Sequence, residues 1–379
     1  HEMDQVKAKA NGVARSIGQL KKSGKHDEAE KAMLENADLK EQSKSLSQNL
    51  NEIEKNLQNL LFQIPNIPHT TVPAGNSDAD NIEELQRGKM PDLGSKAQPH
   101  WELIKIYDIV DFELGNKVSG AGFPYYKGKG ARLQRALINY FLDEAVAAGY
   151  QEVQPPHLIN TASGIGTGQL PDKEGQMYHA PLDDLYLIPT AEVPITNMYR
   201  DVIVKEEDFP IKHVGYTPCF RREAGSWGAD VRGLNRLHQF DKVEIVQIQS
   251  PDKSYATLQE MCAYVQGLLE KLELPYRVLR LCGGDLGFTS ALTFDMEVYS
   301  AGQGRWLEVS SISNFETYQA NRLNLRFKKE KKKFLAHTLN GSALALPRIV
   351  ASILENNQTN EGIRIPKVLQ PYTGFEWIN

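Results

Sequence analysis

An arginine and a glutamate, Arg221 and Glu223, stand two residues apart where an apolar run gives way to a Gly-rich stretch. In an extended chain such residues share a face, so their side chains can act together. An arginine can hold a phosphate through two N–H groups, and a carboxylate can accept from an amino group, which together suit a nucleotide. The pair could also be an exposed ion pair on a strand. The Gly-rich stretch and Phe240, a possible stacking surface in the next strand, favour the nucleotide.

A second arginine, Arg348, follows a Gly/Ser stretch at residues 341–342 and lies in the first turns of an apolar helical pattern. The Gly/Ser stretch predicts a turn that enters the helix. Arg348 is then either a solvent-exposed side chain on a capped core helix or a second phosphate ligand.

Two carboxylates, Glu192 and Glu308, interrupt otherwise apolar strand patterns. Each could form a buried ion pair, or hold Mg²⁺, which prefers a few carboxylates together with substrate phosphates. The sequence contains no Walker A loop, no Gly-x-Gly-x-x-Gly after a strand, no His-Glu-x-x-His and no Gly-x-Ser-x-Gly, so the P-loop, Rossmann, zincin and hydrolase classes are unsupported. Its nine histidines show no spacing typical of metal ligands.

The elements that must position these residues indicate an α+β fold. Residues 131–148 form a helical pattern that ends at Gly149, and a short strand after it is stopped by Pro155 and Pro156. Helices interrupt the later strands too rarely for regular βαβ alternation, so we expect an antiparallel sheet flanked by helices. The predicted strands cover residues 185–188, 214–220, 242–249, 276–282, 294–299 and 306–310, and the predicted helices cover residues 254–272 and 343–356.

Residues 1–64 differ in composition from the rest of the chain, and their pattern predicts an antiparallel helical hairpin. Apolar residues keep a heptad spacing along both halves, and a polar break with Gly24 separates them. The second helix, about residues 27–63, would be roughly 55 Å long, whereas only about 22 residues precede the break. We therefore expect an exposed apolar seam of about 20 Å on the longer helix, and a natural chain that begins upstream of His1. The seams are Met3, Val6, Ala10, Val13, Ile17 and Leu20, then Leu46, Leu50, Ile53, Leu57, Leu60 and Ile64.

Charge is distributed unevenly along this arm. Residues 1–25 carry six basic side chains against two acidic ones, which predicts either a solvated coiled-coil surface or a basic helix that meets a polyanion. Residues 65–100 contain five prolines and predict a linker, so residues 101–379 form the remaining domain. The lysine-rich stretch at residues 328–333 predicts a solvated loop, with phosphate contact as the alternative.

Overall composition excludes several classes. With 43 Lys and Arg against 48 Asp and Glu, the net charge is −5, and 41% of residues are hydrophobic, which is typical of a globular protein. No apolar run approaches the ~18–20 residues of a membrane span. Three cysteines without a Cys-x-x-Cys pair indicate a reducing compartment, so we expect the cytoplasm, with an organellar matrix as the alternative.

These segments together resemble a known family. Residues 149–156, 220–244 and 340–348 resemble motifs 1, 2 and 3 of class II aminoacyl-tRNA synthetases. Thr190-Ala191-Glu192, the run from His238 to Glu244, Glu308-Val309-Ser310-Ser311 and the helical arm resemble, more narrowly, the bacterial and organellar type of seryl-tRNA synthetase. The resemblance covers essentially the whole chain. It implies a class II antiparallel sheet preceded by a coiled-coil arm, and ATP-dependent attachment of serine to serine tRNA.

The resemblance also implies roles for residues. Serine would be bound by Thr190, Ala191, Glu192, Glu244 and Ser342. ATP would be bound by Arg221, Arg222, Glu223, Phe240, Glu308, Val309, Ser310, Ser311 and Arg348. Within that set, Arg221 would hold the α-phosphate, Arg348 the γ-phosphate and Glu223 the adenine amino group, while Phe240 would stack on adenine. Glu308 and Ser311 would serve Mg²⁺, and the region of Pro155 and Pro156 would form a homodimer interface.

Two residues depart from the family pattern, and one of them is Arg222, where the family often has Lys or a smaller residue. Ala343 stands where the family usually has Gly, which predicts an extra methyl group near the nucleotide. Two other functions remain open: a related ligase that charges a carrier protein, and a tRNA-binding protein on an inactive scaffold. The helical arm argues against the first, and the presence of both Arg221 and Arg348 argues against the second.

Overall fold

A computed structural model describes residues 1–223 and 232–379 of the chain. The chain divides into two compact units, His1–Ile64 and Pro65–Asn379. The Gly-rich stretch that follows Glu223, including Gly225 and Ser226, lies outside the described residues. No helix in the described ranges is both long enough and apolar enough to cross a membrane.

The first unit is a helical hairpin of α1 (Glu2–Lys22) and α2 (His26–Leu61), joined at Gly24, whose φ of +73° suits a residue without a side chain. Every apolar residue of the predicted first seam is buried or half-buried, as the heptad spacing predicts. On α2 the buried positions nearest the turn are Ala29 and Leu39, which the predicted second seam does not include. The hairpin predicted from the sequence is confirmed.

The two helices differ in length, and the far end of α2 exposes its apolar side chains. At about 1.5 Å per residue, α1 extends about 32 Å and α2 about 54 Å. Ile53, Leu57 and Leu60 are each more than half exposed, whereas Leu39 is 6% exposed. The exposed seam on the longer helix is therefore present as predicted.

The second unit combines helices with several sheets. Its helices are α3 (His100–Ile106), α4 (Phe112–Val118), α5 (Gly128–Ala147), α6 (Thr161–Thr167), α7 (Glu192–Asn197), α8 (Ser254–Lys271), α9 (Thr317–Arg322), α10 (Leu346–Asn356) and α11 (Gln370–Thr373). Its strands are β1 (Ile82–Arg87), β2 (Val110–Asp111), β3 (Tyr125–Tyr126), β4 (Gln151–Glu152), β5 (Leu158–Asn160), β6 (His179–Ala180), β7 (Leu185–Leu187), β8 (Ile203–Lys205), β9 (Ile211–Phe220), β10 (Gln239–Gln249), β11 (Tyr276–Arg280), β12 (Leu292–Ser300), β13 (Arg305–Asn314), β14 (Arg326–Lys329), β15 (Lys332–Leu335), β16 (His337–Ala345), β17 (Gln358–Thr359), β18 (Gly362–Arg364) and β19 (Trp377–Ile378).

The main sheet has eight strands in the order β1-β11-β12-β13-β16-β10-β9-β4. Each neighbouring pair is antiparallel except β4 and β9, which are parallel. The antiparallel α+β architecture predicted from the sequence is confirmed. The core lies between this sheet and helices that include α5, α8 and α10, with fully buried side chains such as Phe141, Leu268 and Ile353.

Three local predictions differ from the structure. Residues 341–342 do not form a turn; they lie inside β16, in the middle of the sheet. Gly341 is required there because a Cβ would lie 2.9 Å from Cγ1 of Ile312 on the adjacent strand, so its small size reflects packing and not a turn. Residues 328–333 form the hairpin of β14 and β15, whose Phe327 and Phe334 pair across the strands. The stretch at 65–100, predicted as a linker, contributes β1 to the edge of the main sheet.

Candidate active site

A cleft of about 570 Å³ opens over the face of the main sheet. Segments from distant parts of the chain meet there because β10, β13 and β16 are neighbours in the sheet, while residues 189–192 cross beside them. Most of the site residues predicted from the sequence line this one cleft. They are Thr190, Glu192, Arg221, Glu223, Phe240, Glu244, Glu308, Val309, Ser311, Ser342 and Arg348.

One end of the cleft is polar and deeply buried. Glu192, the first residue of α7, is 6% exposed and accepts a hydrogen bond of 2.6 Å from Nε2 of Gln319. Burial raises the pKa of Glu192 to about 7, and the nearby Glu244 carboxylate acts in the same direction. The Gln319 hydrogen bond and the Lys242 ammonium oppose this increase without cancelling it. Glu192 is therefore a carboxylate that a bound cation would stabilise in its ionised form.

Lys242 and Glu244 form a buried ion pair at the same end. The Nζ of Lys242 lies 2.7 Å from Oε2 of Glu244, and the two side chains are 7% and 3% exposed. Phe240, Lys242 and Glu244 alternate along β10, so all three line the same cleft, as the two-residue period of a strand requires. Phe240 and Glu244 are four residues apart in the sequence, so the strand period alone predicts that they share a face.

Ser342 lies beside Glu244 because the two residues are register partners across β10 and β16. Its main-chain oxygen accepts a 2.6 Å hydrogen bond from Oγ of Ser310, which ties β16 to β13. Thr190, 5% exposed, accepts a hydrogen bond at Oγ1 from the backbone N–H of Glu192. This end therefore offers two carboxylates, an ammonium and two hydroxyls in a small buried space.

The other end of the cleft is more open and carries arginines. Arg221 follows directly on β9, and its backbone N–H donates to the carbonyl of His238. Its guanidinium carbon lies 5.3 Å from the ring centroid of Phe240, and its Nε donates to the carbonyl of Pro189 at 3.4 Å. The guanidinium is thus held between the two ends of the cleft, next to an aromatic face.

Glu223 and Arg348 complete this end. Glu223 forms an ion pair with Arg236, whose Nε lies 2.7 Å from Oε2 of Glu223. Arg348, on the first turn of α10, donates from Nη1 to the carbonyl of Glu308 at 2.6 Å and from Nε to the carbonyl of Asn235 at 2.9 Å. Backbone oxygens on both sides therefore fix the direction of the Arg348 guanidinium.

The carboxylates near Arg348 suit a divalent cation that brings its own phosphate ligands. Burial and the nearby Glu308 carboxylate raise the pKa of Asp295 well above its ordinary value. Oδ1 of Asp295 is buried and has no hydrogen-bond partner, and Ser311 is the register partner of Asp295 across β12 and β13. Within the described ranges, no three or more His, Cys, Asp or Glu residues are grouped to hold a metal ion by themselves. One accessible carboxylate and a hydroxyl nevertheless fit Mg²⁺ bound mainly by phosphates.

Four residues discussed from the sequence do not line the described part of the cleft. Ala191 is fully buried in a small cluster with Ile195, Ser310 is buried and bonds to β16, and Arg222 is exposed. Ala343 is fully buried in the main core because it alternates with Ser342 along β16. Its methyl group is therefore packed away from the cleft, which corrects the expectation of a methyl near the nucleotide.

Several cleft residues were not assigned from the sequence. Lys242 could have been found, since it alternates with Phe240 and Glu244. Arg236 lies inside the second motif and pairs with Glu223, but nothing in its spacing indicates that pair. Gln319 does not itself line the cleft but donates to Glu192 there, and it has no local signal, because α9 reaches Glu192 only through tertiary packing. Asn340 also lines the cleft.

Comparison with known proteins agrees with this geometry. Residues 1–68 match the model of the seryl-tRNA synthetase N-terminal domain, and residues 178–357 match that of the tRNA synthetase class II core domain (G, H, P, S and T). The serine–tRNA ligase of Salinibacter ruber is 52% identical over 99% of this chain and 88% of its own length. That of Desulfitobacterium hafniense is 47% identical over 100% of this chain and 90% of its own length.

Solved structures give the same result. The seryl-tRNA synthetase from Pyrococcus horikoshii, complexed with ATP, superposes with a TM-score of 0.89 at 35% identity, covering 100% of this chain and 89% of that one. The cytoplasmic serine–tRNA ligase from Naegleria fowleri, in complex with AMP, gives a TM-score of 0.83 at 28% identity, covering 100% and 91%. The chain belongs to the seryl-tRNA synthetase family.

Proposed function

We propose that this chain is a serine–tRNA ligase and that the cleft is where it activates L-serine with ATP and transfers the seryl group to the 3′ end of serine tRNA. In the first step a serine carboxylate oxygen bonds to the α-phosphorus and pyrophosphate leaves. In the second, a ribose hydroxyl of the tRNA attacks the seryl carbonyl and AMP leaves. The observation that carries this proposal is the arrangement of the cleft, with a buried acidic end beside an open end that carries Arg221 and Arg348.

The buried end suits serine. The ammonium of the amino acid would lie against Glu192, whose pKa is raised by burial and by the Glu244 carboxylate despite the nearby Lys242 ammonium. The hydroxyl would donate to Glu244, with Ser342 and Thr190 as further polar contacts. A site that hydrogen-bonds a substrate hydroxyl rejects an analogue without it because its own buried polar groups are then left unpaired.

The open end suits ATP. Arg221 would contact the α-phosphate, because it lies between the serine pocket and Phe240, on which adenine would stack. Glu223 would accept from the adenine amino group, and Arg348 would contact the γ-phosphate. The reaction needs no protein nucleophile, since alignment of the two substrates and neutralisation of phosphate charge supply most of the acceleration.

Glu308 and Ser311 would hold Mg²⁺ together with the ATP phosphates. When bound, the ion would neutralise phosphate charge and hold the pyrophosphate in a favourable direction for its departure. The chain's own residues would place the Glu308 carboxylate and the Ser311 hydroxyl, both on β13, in the cleft, where Oε2 of Glu308 lies 3.5 Å from Nη1 of Arg348.

The helical hairpin would bind the tRNA. Its first 25 residues carry a net charge of +4, from six basic and two acidic side chains, and a polyanion is the natural partner of such a surface.

The aminoacylation of tRNA would take place in the cytoplasm. All three cysteines are free and buried, which agrees with a reducing compartment.

We further propose a homodimer formed around residues 151–156 and α5. A second groove of about 540 Å³ lies there, lined by Gln154 and by the side chains of Tyr126 and Gln134. Oη of Tyr126 and Oε1 of Gln134 are buried without a hydrogen-bond partner, and a second copy could supply one. Sedimentation equilibrium should give about twice the chain mass of 42.5 kDa; a monomer at micromolar concentration would contradict the proposal.

The function is tested by ATP–pyrophosphate exchange with each of the twenty amino acids, followed by charging of serine tRNA. Serine should be the amino acid that supports rapid exchange, and charging should require serine tRNA. Exchange with another amino acid at a higher kcat/KM, or no exchange at all, would contradict the proposed function.

A further inference from the structure

A buried histidine outside the cleft contacts the segment that carries part of the ATP end. His100, the first residue of α3, is fully buried and lies beside Glu355 of α10, which is also fully buried. Nδ1 of His100 lies 2.7 Å from Oε1 of Glu355, and the backbone N–H of His100 donates to the same oxygen. Neither residue lines the cleft, and the proposed function assigns no role to either.

The hydrogen bonds determine which nitrogen of His100 carries the proton. The backbone N–H of Leu234 donates to Nε2 of His100 at 2.8 Å. Since a backbone N–H can only donate, Nε2 must be the acceptor, and Nδ1 must hold the proton that it donates to Glu355. Glu355 receives further donors from Ser300, Gly302 and Gln303, so its carboxylate is held from several directions. Burial raises the pKa of Glu355, but hydrogen bonds from the His100 side chain, from Ser300 and from the His100 backbone outweigh it and keep that pKa below its ordinary value.

The segment bonded to His100 continues directly to Arg348. Asn235, next to Leu234, accepts from Nε of Arg348 at its carbonyl oxygen, at 2.9 Å. The Asn235 side chain donates to Gln303 at 2.9 Å, and Gln303 donates to Glu355 at 3.0 Å. Gly233 packs so closely that a Cβ would lie 2.3 Å from Nε2 of His100, and its φ is +65°. The backbone at 233–235 is therefore fitted to the imidazole.

We propose that His100, held by Glu355, is a positioning residue for the ATP end of the cleft. Its Nε2 fixes the backbone of Leu234 and Asn235, and the Asn235 carbonyl then fixes the Arg348 guanidinium. This inference rests on the proposed function, because it assumes that Arg348 contacts ATP. The buried His100–Glu355 pair, which lines no part of the cleft, would then affect ATP binding without affecting serine binding.

Two substitutions at position 100 separate the hydrogen bond that His100 accepts from Leu234 from the one that it donates to Glu355. In His100→Gln the amide oxygen can occupy the place of Nε2 and accept from Leu234, whereas in His100→Asn the shorter amide can reach only Glu355. His100→Asn leaves the buried N–H of Leu234 unpaired, so kcat/KM for ATP in pyrophosphate exchange should fall about 10- to 100-fold, with KM for serine changed less than about twofold. His100→Gln should stay within about threefold of the parent for both substrates.

Gln303→Met removes the side chain that connects Asn235 to Glu355, at a half-buried position. This substitution should raise KM for ATP about three- to tenfold while leaving KM for serine unchanged. His213→Asn is the matched control: His213 is a buried histidine on β9 that contacts Tyr199, and its replacement should not change the ratio of the two KM values.

The proposal is overturned if His100→Asn and His100→Gln behave alike, if serine and ATP parameters change together, or if Gln303→Met changes neither. A variant that only lowers the melting temperature equally with His213→Asn would show a purely structural role. Absence of serine-dependent exchange in the parent would instead refute the proposed function, so the two failures are distinguishable.

Discussion

The helical hairpin and the cleft-bearing unit are built in opposite ways. The hairpin holds its two helices together through a single seam, with Ala10, Ala29 and Leu39 as its buried apolar side chains. The cleft-bearing unit packs helices such as α5 and α10 against an eight-stranded sheet and buries large side chains such as Phe141 and Tyr276 completely. The hairpin is formed by two helices that are consecutive in the chain, whereas the cleft is lined by segments that extend from residue 168 to residue 348.

This difference indicates a division of work. A narrow, charged hairpin offers surface and little enclosed space, so it suits a large polyanion. The second unit can exclude water from a small pocket and strengthen electrostatic interactions there. We therefore expect that the hairpin affects only the tRNA step, while the cleft affects both steps.

Removal of the hairpin should give the largest effect. Deleting residues 1–64 removes the proposed tRNA surface, including the six basic side chains of residues 1–25, and should lower kcat/KM for tRNA charging by about 10³-fold at physiological salt. Serine-dependent pyrophosphate exchange should change by less than about twofold, because every predicted site residue follows Pro65. In the whole chain, Lys21→Gln with Lys22→Gln should weaken charging, whereas Glu52→Gln with Glu54→Gln should not. If the truncated, folded protein charged tRNA at the full rate, the proposed role of the hairpin in tRNA binding would be wrong.

Arg221→Ala should slow adenylate formation strongly, and tRNA charging should fall with it because charging consumes the adenylate. The substitution removes a charge that neutralises the α-phosphate, so exchange should fall by ~10²- to 10³-fold. The fold should remain intact, since Arg221 is only half-buried and its side-chain hydrogen bond of 3.4 Å is long. Circular dichroism and exchange kinetics test this together, with Arg364→Ala as the control, because Arg364 pairs with Glu273 outside the cleft. Near-normal exchange in Arg221→Ala would remove Arg221 from the site.

Glu244→Ala tests amino-acid choice within the cleft. The parent should prefer serine over alanine by ~10⁴ to 10⁵, because an absent hydroxyl leaves buried groups unpaired. Loss of the charged acceptor should reduce serine activation by about 10²-fold, and it also leaves Lys242 without its buried partner. Exchange with serine, threonine and alanine measures this, with Glu244→Gln to separate charge from shape. Unchanged serine activation, or alanine within tenfold of serine in the parent, would refute the role.

The pH dependence of serine binding should show the smallest effect. Glu192 has a pKa of about 7 in the free protein, and the substrate ammonium favours its ionised form, so serine binding must expel a proton below that pH. The KM for serine should therefore rise as pH falls below 7, approaching about tenfold per pH unit, and should level off above it. The KM for ATP serves as the internal control. Glu192→Gln should have a higher KM that no longer follows this titration, and a parent profile that stays flat between pH 5.5 and 7.5 would contradict the assignment.

How much could be predicted differs between the two regions. The hairpin was predictable in its ends, its turn and its exposed apolar seam, because a heptad period reports directly which face of a helix is buried. In the cleft, the alternation along β10 correctly brought Phe240 and Glu244 to one face. The resemblance to the family supplied most of the lining residues, and the structure brings them together in one cleft.

Other features required the tertiary structure. Gly341 looked like a turn residue, but its place is set by Ile312 on a neighbouring strand. Gln319, His100 and Glu355 have no local signal, since each meets its partner only after strands and helices far apart in sequence have packed. The sequence by itself determined the elements and the chemical groups available, because local periodicity and residue type depend on neighbouring residues. Only the tertiary structure decided which groups meet and which are buried, because strand order and side-chain burial depend on how the whole core packs.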